Sequence, residues 1–235
     1  RGGLGPDTAG RLYAGPIVAS CGESGLCMRM FSSIASLLPS GVELHGEGSL
    51  ARRPVGMVEG PLAELGVACA TAGGFPPVRV SGPLRAGRAT VDGSESSQFL
   101  TGLLLALPMA GGDSVLSVAR LASRGYIDLT IDVARAFGAD IERDNLFTEF
   151  RVSGNSPYKA TVYDVEGDWS GAAFLIVAGA IAAGAGGLEV TGLAMESSQP
   201  DRAIIDALEL AGASLEWIEG GWRVRQVPLG GFSFD

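Results

Sequence analysis

A unit of about 72 to 74 residues recurs along the chain, and this repeat limits the fold more than any other feature of the sequence. Three segments carry apolar residues at steps of three and four, which is typical of a helix with one buried face. Each ends at a glycine suited to a left-handed C-cap, and these glycines are Gly66, Gly138 and Gly212. At the same spacing, small polar residues precede three other apolar segments, at 22–24, 93–96 and 167–170.

Short β-rich runs complete the repeated unit. One lies between the two helices of each copy, at 42–44, 115–118 and 188–191. Two more follow the second helix, at 139–142 and 147–152 in the middle copy and at 214–218 and 222–225 in the last. The sequence therefore predicts an α/β (α+β) fold of three β-α-β-α-β-β units. The stretch 155–158 separates the second copy from the third, and we expect a domain boundary close to Val165.

Composition indicates a globular chain and argues against several classes of protein. With 46% hydrophobic and 18% charged residues, a packed core is expected. A net charge of -9 makes nucleic acid an unsuitable partner. The apolar run 172–187 is short and rich in Ala and Gly, so we expect a buried helix there and not a membrane span. Three cysteines without metal-ligand spacing favour a reduced, cytoplasmic location, and the single histidine, His45, argues against a Ser-His-Asp triad.

The starts of the helices are the candidate anion sites, because a helix N-terminus presents N–H groups and the positive end of its dipole. The segment 94–101 is the richest. There, the hydroxyls of Ser96 and Ser97 and the amide of Gln98 are able to donate several hydrogen bonds to a phosphate. Simple N-capping is the alternative interpretation.

Arginines supply nearly all the positive charge, since Lys159 is the only lysine among 17 basic residues. Arginine is the better fork-shaped donor to phosphate and carboxylate. Arg53 precedes Pro54, and we expect it at the start of a helix, aimed at a ligand. A solvated surface arginine is the alternative interpretation. Ser123 and Tyr126 stand at the start of another helix, where capping is again the alternative.

Five segments together resemble the 5-enolpyruvylshikimate-3-phosphate (EPSP) synthase family. Each is weak alone, but their order and spacing agree along nearly the whole chain. They are SGLCMR at 24–29, GEGSLARRPVG at 46–56, DGSESSQFLT at 92–101, SRGYID at 123–128 and VEGD at 165–168.

The resemblance implies two lobes, each an inside-out α/β arrangement of three β-α-β-α-β-β units. Residues 1–165 would hold two units of the first lobe, and residues 166–235 the first unit of the second. It implies transfer of the enolpyruvyl group of phosphoenolpyruvate to the 5-hydroxyl of shikimate-3-phosphate, in the shikimate pathway of aromatic amino-acid biosynthesis. It implies no metal, no organic cofactor, no nucleic-acid or membrane partner, and a monomeric cytoplasmic parent enzyme.

The resemblance also implies roles for the shikimate-3-phosphate site. Ser96, Ser97 and Ser123 would hold the 3-phosphate. Tyr126 would lie near the shikimate ring, and Gln98 would lie between the two substrates with a catalytic role.

For phosphoenolpyruvate, the resemblance implies that Gly25 lets the substrate approach the backbone. Arg53 would bind it through charge and act in catalysis, with Gln98 alongside and Arg29 in a supporting role. The chain departs from the family pattern at Glu23, Leu26, Met30 and Gly125, which bears on the geometry of the phosphoenolpyruvate pocket.

The family's Lys-Ser segment does not occur within the 235 residues, and the resemblance implies that its Pro-Asp segment with the catalytic aspartate follows Asp235. We therefore expect no normal turnover from this chain alone. Two alternatives remain open. One is the UDP-N-acetylglucosamine enolpyruvyl transferase family, although the loop 46–52 lacks that family's usual cysteine. The other is a non-catalytic anion-binding repeat module.

Overall fold

The structure is a computed structural model. It describes residues 17–121, 123–154, 156, 158–184 and 186–234. Two compact units divide the chain, Arg1–Thr161 and Val162–Asp235, compared with the boundary near Val165 expected from the sequence. Asn155 and Pro157 of the separating stretch lie outside the described residues, as do both chain ends.

The first unit contains two copies of one arrangement. In each copy the first two strands are parallel and the other neighbours antiparallel, with sheet orders β1-β2-β4-β3 and β5-β6-β8-β7. The first copy is β1 Ile17–Ser20, α1 Gly25–Ala35, β2 Val42–His45, α2 Glu59–Glu64, β3 Ala68–Ala72 and β4 Phe75–Ser81. The second is β5 Arg88–Asp92, α3 Gln98–Ala106, β6 Ser114–Ala119, α4 Gly125–Ala136, β7 Asp140–Arg143 and β8 Glu149–Ser153.

The second unit holds the third copy, which has a shorter sheet of order β10-β11-β9. Among its described residues no strand precedes the first helix. In that place the Gly167 N–H donates a hydrogen bond to the Gly192 carbonyl at 2.8 Å. Asp168 caps that helix by accepting from two backbone N–H groups. The elements are α5 Trp169–Ala182, β9 Leu188–Thr191, α6 Ile204–Leu210, β10 Ser214–Ile218 and β11 Gly221–Arg225.

The second helix of each copy ends where the sequence predicts. Gly66, Gly138 and Gly212 follow α2, α4 and α6 with φ of 78°, 94° and 80°. These are left-handed conformations that glycine adopts without strain. The three C-cap predictions are confirmed.

A close helix crossing joins the two copies of the first unit. A Cβ added to Gly102 of α3 would lie 2.5 Å from the carbonyl oxygen and 2.9 Å from the Cα of Met30 in α1. Only glycine permits this approach of two backbones. Phe99 and Leu103 of α3 and Met28 of α1 are buried in the shared core. The crossing therefore fixes the start of α3 beside α1.

Helix α5 is buried on one face only, so the expectation of a buried helix is correct in part. Ile176 and Ala180 are fully buried in the core of the second unit. Phe174 is 79% exposed, and Leu175 and Ile181 are also exposed. The helix is apolar all round, whereas this unit provides one sheet to cover it. None of the described helices has the length and apolar character needed to cross a bilayer.

The turn between β7 and β8 is organised by Asp144. Its carboxylate accepts from the hydroxyl of Thr148 at 2.5 Å, from the Thr148 backbone N–H at 2.7 Å and from the Glu149 N–H at 3.2 Å. These hydrogen bonds, chiefly that of the hydroxyl, lower the pKa of Asp144. The charged carboxylate therefore stabilises the turn.

Asp144→Asn is expected to lower the melting temperature at pH 7 but to change it little at acidic pH. A depressed folded-state pKa gives stability above the unfolded pKa that is lost as pH falls through the folded pKa. Thermal melts of both proteins at neutral pH and at about pH 2, below the usual range of an aspartate in a folded protein, check this. An equal difference at both pH values would contradict the account.

Candidate functional site

A cavity of about 540 Å³ lies in the first unit, at the starts of α1, α3 and α4. Strands β5 and β6 are parallel neighbours, so the loops after their carboxyl ends lie side by side. This topology brings residues 93–97 next to Leu121 and Ser123. Six of the residues singled out in the sequence line this one cavity, namely Arg29, Ser96, Ser97, Gln98, Ser123 and Tyr126.

The two adjacent serines play different local roles. Ser96 Oγ accepts from the backbone N–H of Gln98 at 3.1 Å, which is a capping interaction. Ser97 occupies the N-cap position of α3 and is 7% exposed, yet its side chain makes no capping bond within the described residues. Capping therefore accounts for Ser96 and not for Ser97.

Arg29 joins three segments at the edge of the cavity. Its Nη1 donates to Gln98 Oε1 and its Nη2 to the Pro54 carbonyl, both at 3.2 Å. Burial lowers the pKa of the guanidinium, and the nearby carboxylate of Glu95 acts in the opposite direction. Arginine nevertheless stays charged in proteins. Among the described residues, its buried Nε has no hydrogen-bond partner.

Arg53 does not stand at a helix start, and that expectation is wrong. It follows the 3-10 helix Leu50–Arg52 in an extended conformation, with φ of -88° and ψ of 136°. The reason is Pro54, because a proline disfavours the helical conformation of the residue before it. Arg53 is exposed and is not among the described residues that line the 540 Å³ cavity.

Gly25, Arg29 and Arg53 form a second cluster beside this cavity. A Cβ added to Gly25 would lie 3.5 Å from Arg29 Nη1 and 3.6 Å from Arg53 Nη1. Two guanidinium groups thus flank bare backbone at the start of α1. Such an arrangement favours a small anion with two negatively charged groups.

Glu23 holds the loop that carries Arg53. Its Oε2 accepts from the Ser49 backbone N–H at 2.9 Å, and its carboxylate packs against Gly48, whose φ is 52°. The Ser49 hydrogen bond, with a smaller contribution from Arg53, lowers the pKa of Glu23. The carboxylate of Glu23, a departure from the family pattern, is therefore bound by the loop that carries Arg53.

Sequence reasoning gave no site role to three residues that line the cavity: Glu95, Thr101 and Thr130. Leu26, noted only as a departure from the family pattern, lines it as well. The two threonine hydroxyls lie 3.4 Å apart and connect α3 to α4. Thr130 also donates to the Tyr126 carbonyl at 2.8 Å. A helical step of four from Ser97 and from Tyr126 would have pointed to both threonines.

A larger cavity of about 650 Å³ lies against the first sheet and does not suit an anion. Its lining is mainly apolar, with Val42, Val67 and Cys69 among the residues. Its arginine, Arg79, is already paired with Glu43 through two bonds of 3.0 Å. Within the described residues no group of three or more His, Cys, Asp or Glu is placed to hold a metal ion.

Comparison with known proteins gives one consistent result. The family model of EPSP synthase (3-phosphoshikimate 1-carboxyvinyltransferase) matches residues 5–235. The chain is 44% identical to a protein from Methanoculleus marisnigri and 41% identical to one from Aeropyrum pernix, both named 3-phosphoshikimate 1-carboxyvinyltransferase. The matches cover 86% and 90% of this chain but 48% of each relative.

The fold gives the same result. The solved structure of EPSP synthase from Acinetobacter baumannii matches with a TM-score of 0.66 at 25% identity, over 88% of this chain and 46% of that one. The chain thus spans about half the length of the relatives it matches. On the sequence match over nearly all of its residues, the chain belongs to the EPSP synthase family.

Proposed function

We propose that this chain supplies the shikimate-3-phosphate cavity of an enzyme that transfers the enolpyruvyl group of phosphoenolpyruvate to the 5-hydroxyl of shikimate-3-phosphate. The observation that carries the proposal is the convergence of Ser96, Ser97, Ser123 and Arg29 on one cavity. Hydroxyls and a guanidinium are donors suited to a phosphate dianion. The volume of about 540 Å³ is typical of a small-ligand site.

In the proposed reaction, the 5-hydroxyl gives up its proton as its oxygen forms a bond to C2 of phosphoenolpyruvate, and a proton adds to C3 as the C2–C3 double bond becomes single. The resulting tetrahedral intermediate then loses a proton from C3 and breaks its C2–O bond to phosphate. The products are EPSP and inorganic phosphate. The residues described here act by positioning the reactants and by stabilising negative charge.

Each side chain takes a role that fits its position. Ser97, with its hydroxyl not used in capping, binds the 3-phosphate together with Ser96 and Ser123. Tyr126 contacts the ring. Gln98 already bonds Arg29 and so lies between this cavity and the second cluster.

Phosphoenolpyruvate binds, in this proposal, at the second cluster of Gly25, Arg29 and Arg53. The two guanidinium groups meet its phosphate and carboxylate, and Gly25 leaves room beside the backbone. We favour shikimate-3-phosphate over UDP-N-acetylglucosamine as the acceptor because the matched family is EPSP synthase and the loop 46–52 has no cysteine. We also propose a cytoplasmic location, in keeping with three unpaired thiols.

The proposal is tested by phosphorus NMR of shikimate-3-phosphate titrated with this chain. The 3-phosphate resonance is expected to shift and broaden in the presence of the protein. Equimolar shikimate plus inorganic phosphate is the control, and its phosphate resonance should remain unchanged. Equal responses to both mixtures, or no response to either, would overturn the assignment of the cavity.

Gly25→Ala is expected to weaken phosphoenolpyruvate binding while leaving the fold intact. The added methyl meets the two guanidinium groups at ordinary contact distance, 3.5 and 3.6 Å, so it fills ligand space without a clash. We expect a change in unfolding free energy within about 1 kcal/mol. Calorimetry with phosphoenolpyruvate in the presence of shikimate-3-phosphate measures the loss. Unchanged affinity for phosphoenolpyruvate would mean that this substrate does not bind at the second cluster.

A further inference from the structure

Two residues other than glycine have left-handed backbone in the described part of the chain, and both border the loop that carries Ser123. Arg120, with φ of 54°, begins this loop and pairs with Asp92 at the end of β5. Phe147, with φ of 60°, lies in the β7–β8 turn. Such strain in a bulky residue persists only where the surroundings impose it, often beside functional sites.

Two arginines contact the ring of Phe147. The guanidinium carbon of Arg143 is 3.7 Å from the ring centroid, and that of Arg124 is 5.4 Å away. The ring itself is 8% exposed. Arg143 is held in turn, because its Nε donates to Asp128 Oδ1 at 2.7 Å and its Nη1 to the Asp144 carbonyl at 3.0 Å. The turn is thereby tied to the first turn of α4.

Arg124 is the residue between Ser123 and the start of α4. It has helical backbone, φ -75° and ψ -42°, at the N-cap position of α4 and makes no side-chain cap bond there. Gly125 permits this conformation, whereas a proline at 125 would disfavour it.

The turn itself would be less strained with another residue. Glycine or asparagine suits a left-handed position better than phenylalanine does. Phe147 thus occupies a position that the backbone preference of phenylalanine disfavours. Its visible contacts are the core of the first unit, including Phe150 at 6.4 Å between centroids, and the two guanidinium groups.

We propose that Phe147 is a positioning residue for phosphate binding: its ring holds Arg124 by a cation–π contact and so fixes the hydroxyl of Ser123 at the cavity. The functional part of this inference rests on the proposed shikimate-3-phosphate site. Its structural part, that the ring orders residues 123–127, stands independently of any ligand.

The experiment combines hydrogen exchange with binding. In Phe147→Leu and in Arg124→Met, exchange of the peptide spanning 120–127 is expected to accelerate, and affinity for shikimate-3-phosphate to fall about three- to tenfold, the size of a cation–π contact. In the double variant Phe147→Leu/Arg124→Met, the affinity for shikimate-3-phosphate should fall no further than in either single variant. Phe147→Tyr keeps an aromatic ring, so both the exchange rate of the peptide and the affinity should stay close to those of the wild type. Phe150→Leu, a buried ring in the same core, should lower stability without accelerating exchange selectively in this peptide.

The outcomes are separable. Unchanged exchange of the 120–127 peptide in Phe147→Leu would overturn the proposal whatever binds. Faster exchange with unchanged affinity would overturn the functional part. If the wild-type chain fails to bind shikimate-3-phosphate, the proposed function fails, and the exchange data alone decide whether the ring orders the loop.

Discussion

Replacing Arg29 with methionine is expected to weaken shikimate-3-phosphate binding by about 30-fold or more, the effect of losing about 2 kcal/mol of charge-assisted hydrogen bonding. Arg29 is the cation among the described residues that line the 540 Å³ cavity. The same change removes its bonds to Gln98 and to the Pro54 carbonyl, which hold α1, α3 and the Arg53 loop together. Stability should therefore fall as well, by about 2 kcal/mol. Calorimetric titration and urea unfolding measure the two effects.

Two control variants separate charge from geometry. Arg29→Lys keeps the charge but not the planar fork, so it should recover part of the affinity and little of the bonding between segments. Arg79→Met removes an exposed arginine that pairs with Glu43 on the first sheet. Because an exposed ion pair contributes little, this change should leave both stability and binding nearly unchanged. Equal binding losses for Arg29→Met and Arg79→Met would mean that Arg29 has no particular role in the site.

Gly102→Ala is expected to destabilise the first unit by about 3 kcal/mol, at the upper end of what overpacking a core costs. The new methyl would overlap the backbone of Met30 and not a flexible side chain, so the two helices must move apart. The usual helical preference for alanine over glycine, about 1 kcal/mol, offsets only part of this. Because Gln98 starts α3 and Arg29 precedes Met30, their hydrogen bond should lengthen and phosphate affinity should fall with stability.

The matched control is Gly87→Ala in the same unit. There the added methyl would meet only Leu65 Cδ2, at 4.0 Å, and the backbone does not have positive φ. This change should be neutral or stabilising by about 0.5 kcal/mol. Chemical denaturation of both variants gives the comparison. If Gly102→Ala proves as stable as Gly87→Ala, the close backbone contact between α1 and α3 at Gly102 would be contradicted.

Features set by local chemistry were predictable from the sequence. The helix ends at Gly66, Gly138 and Gly212 depend on one residue's conformational freedom and were found correctly. The clustering of Ser96, Ser97 and Ser123 was implied only by family resemblance, since it depends on the pairing of β5 with β6, residues far apart in sequence.

Other features depend on tertiary contacts and were not predictable in the same way. The bond from Arg29 to Gln98 spans two helices, and nothing in the sequence around either residue signals it. Arg53 was misplaced because the proline after it was interpreted as the first turn of a helix, whereas it imposes an extended residue. The exposed face of α5 could not be foreseen, because burial depends on which element covers a uniformly apolar helix.

The measurement that tests the central claim most directly is calorimetric titration of shikimate-3-phosphate into the wild-type chain, the double variant Ser96→Ala/Ser97→Ala, and Arg53→Ala. The account predicts binding to the wild type, affinity reduced by more than about 100-fold in the serine variant, and near-normal affinity in Arg53→Ala. Folding of each variant is checked by its thermal melt. Wild-type affinity in a folded serine variant would contradict the claim that the start of α3 binds the phosphate.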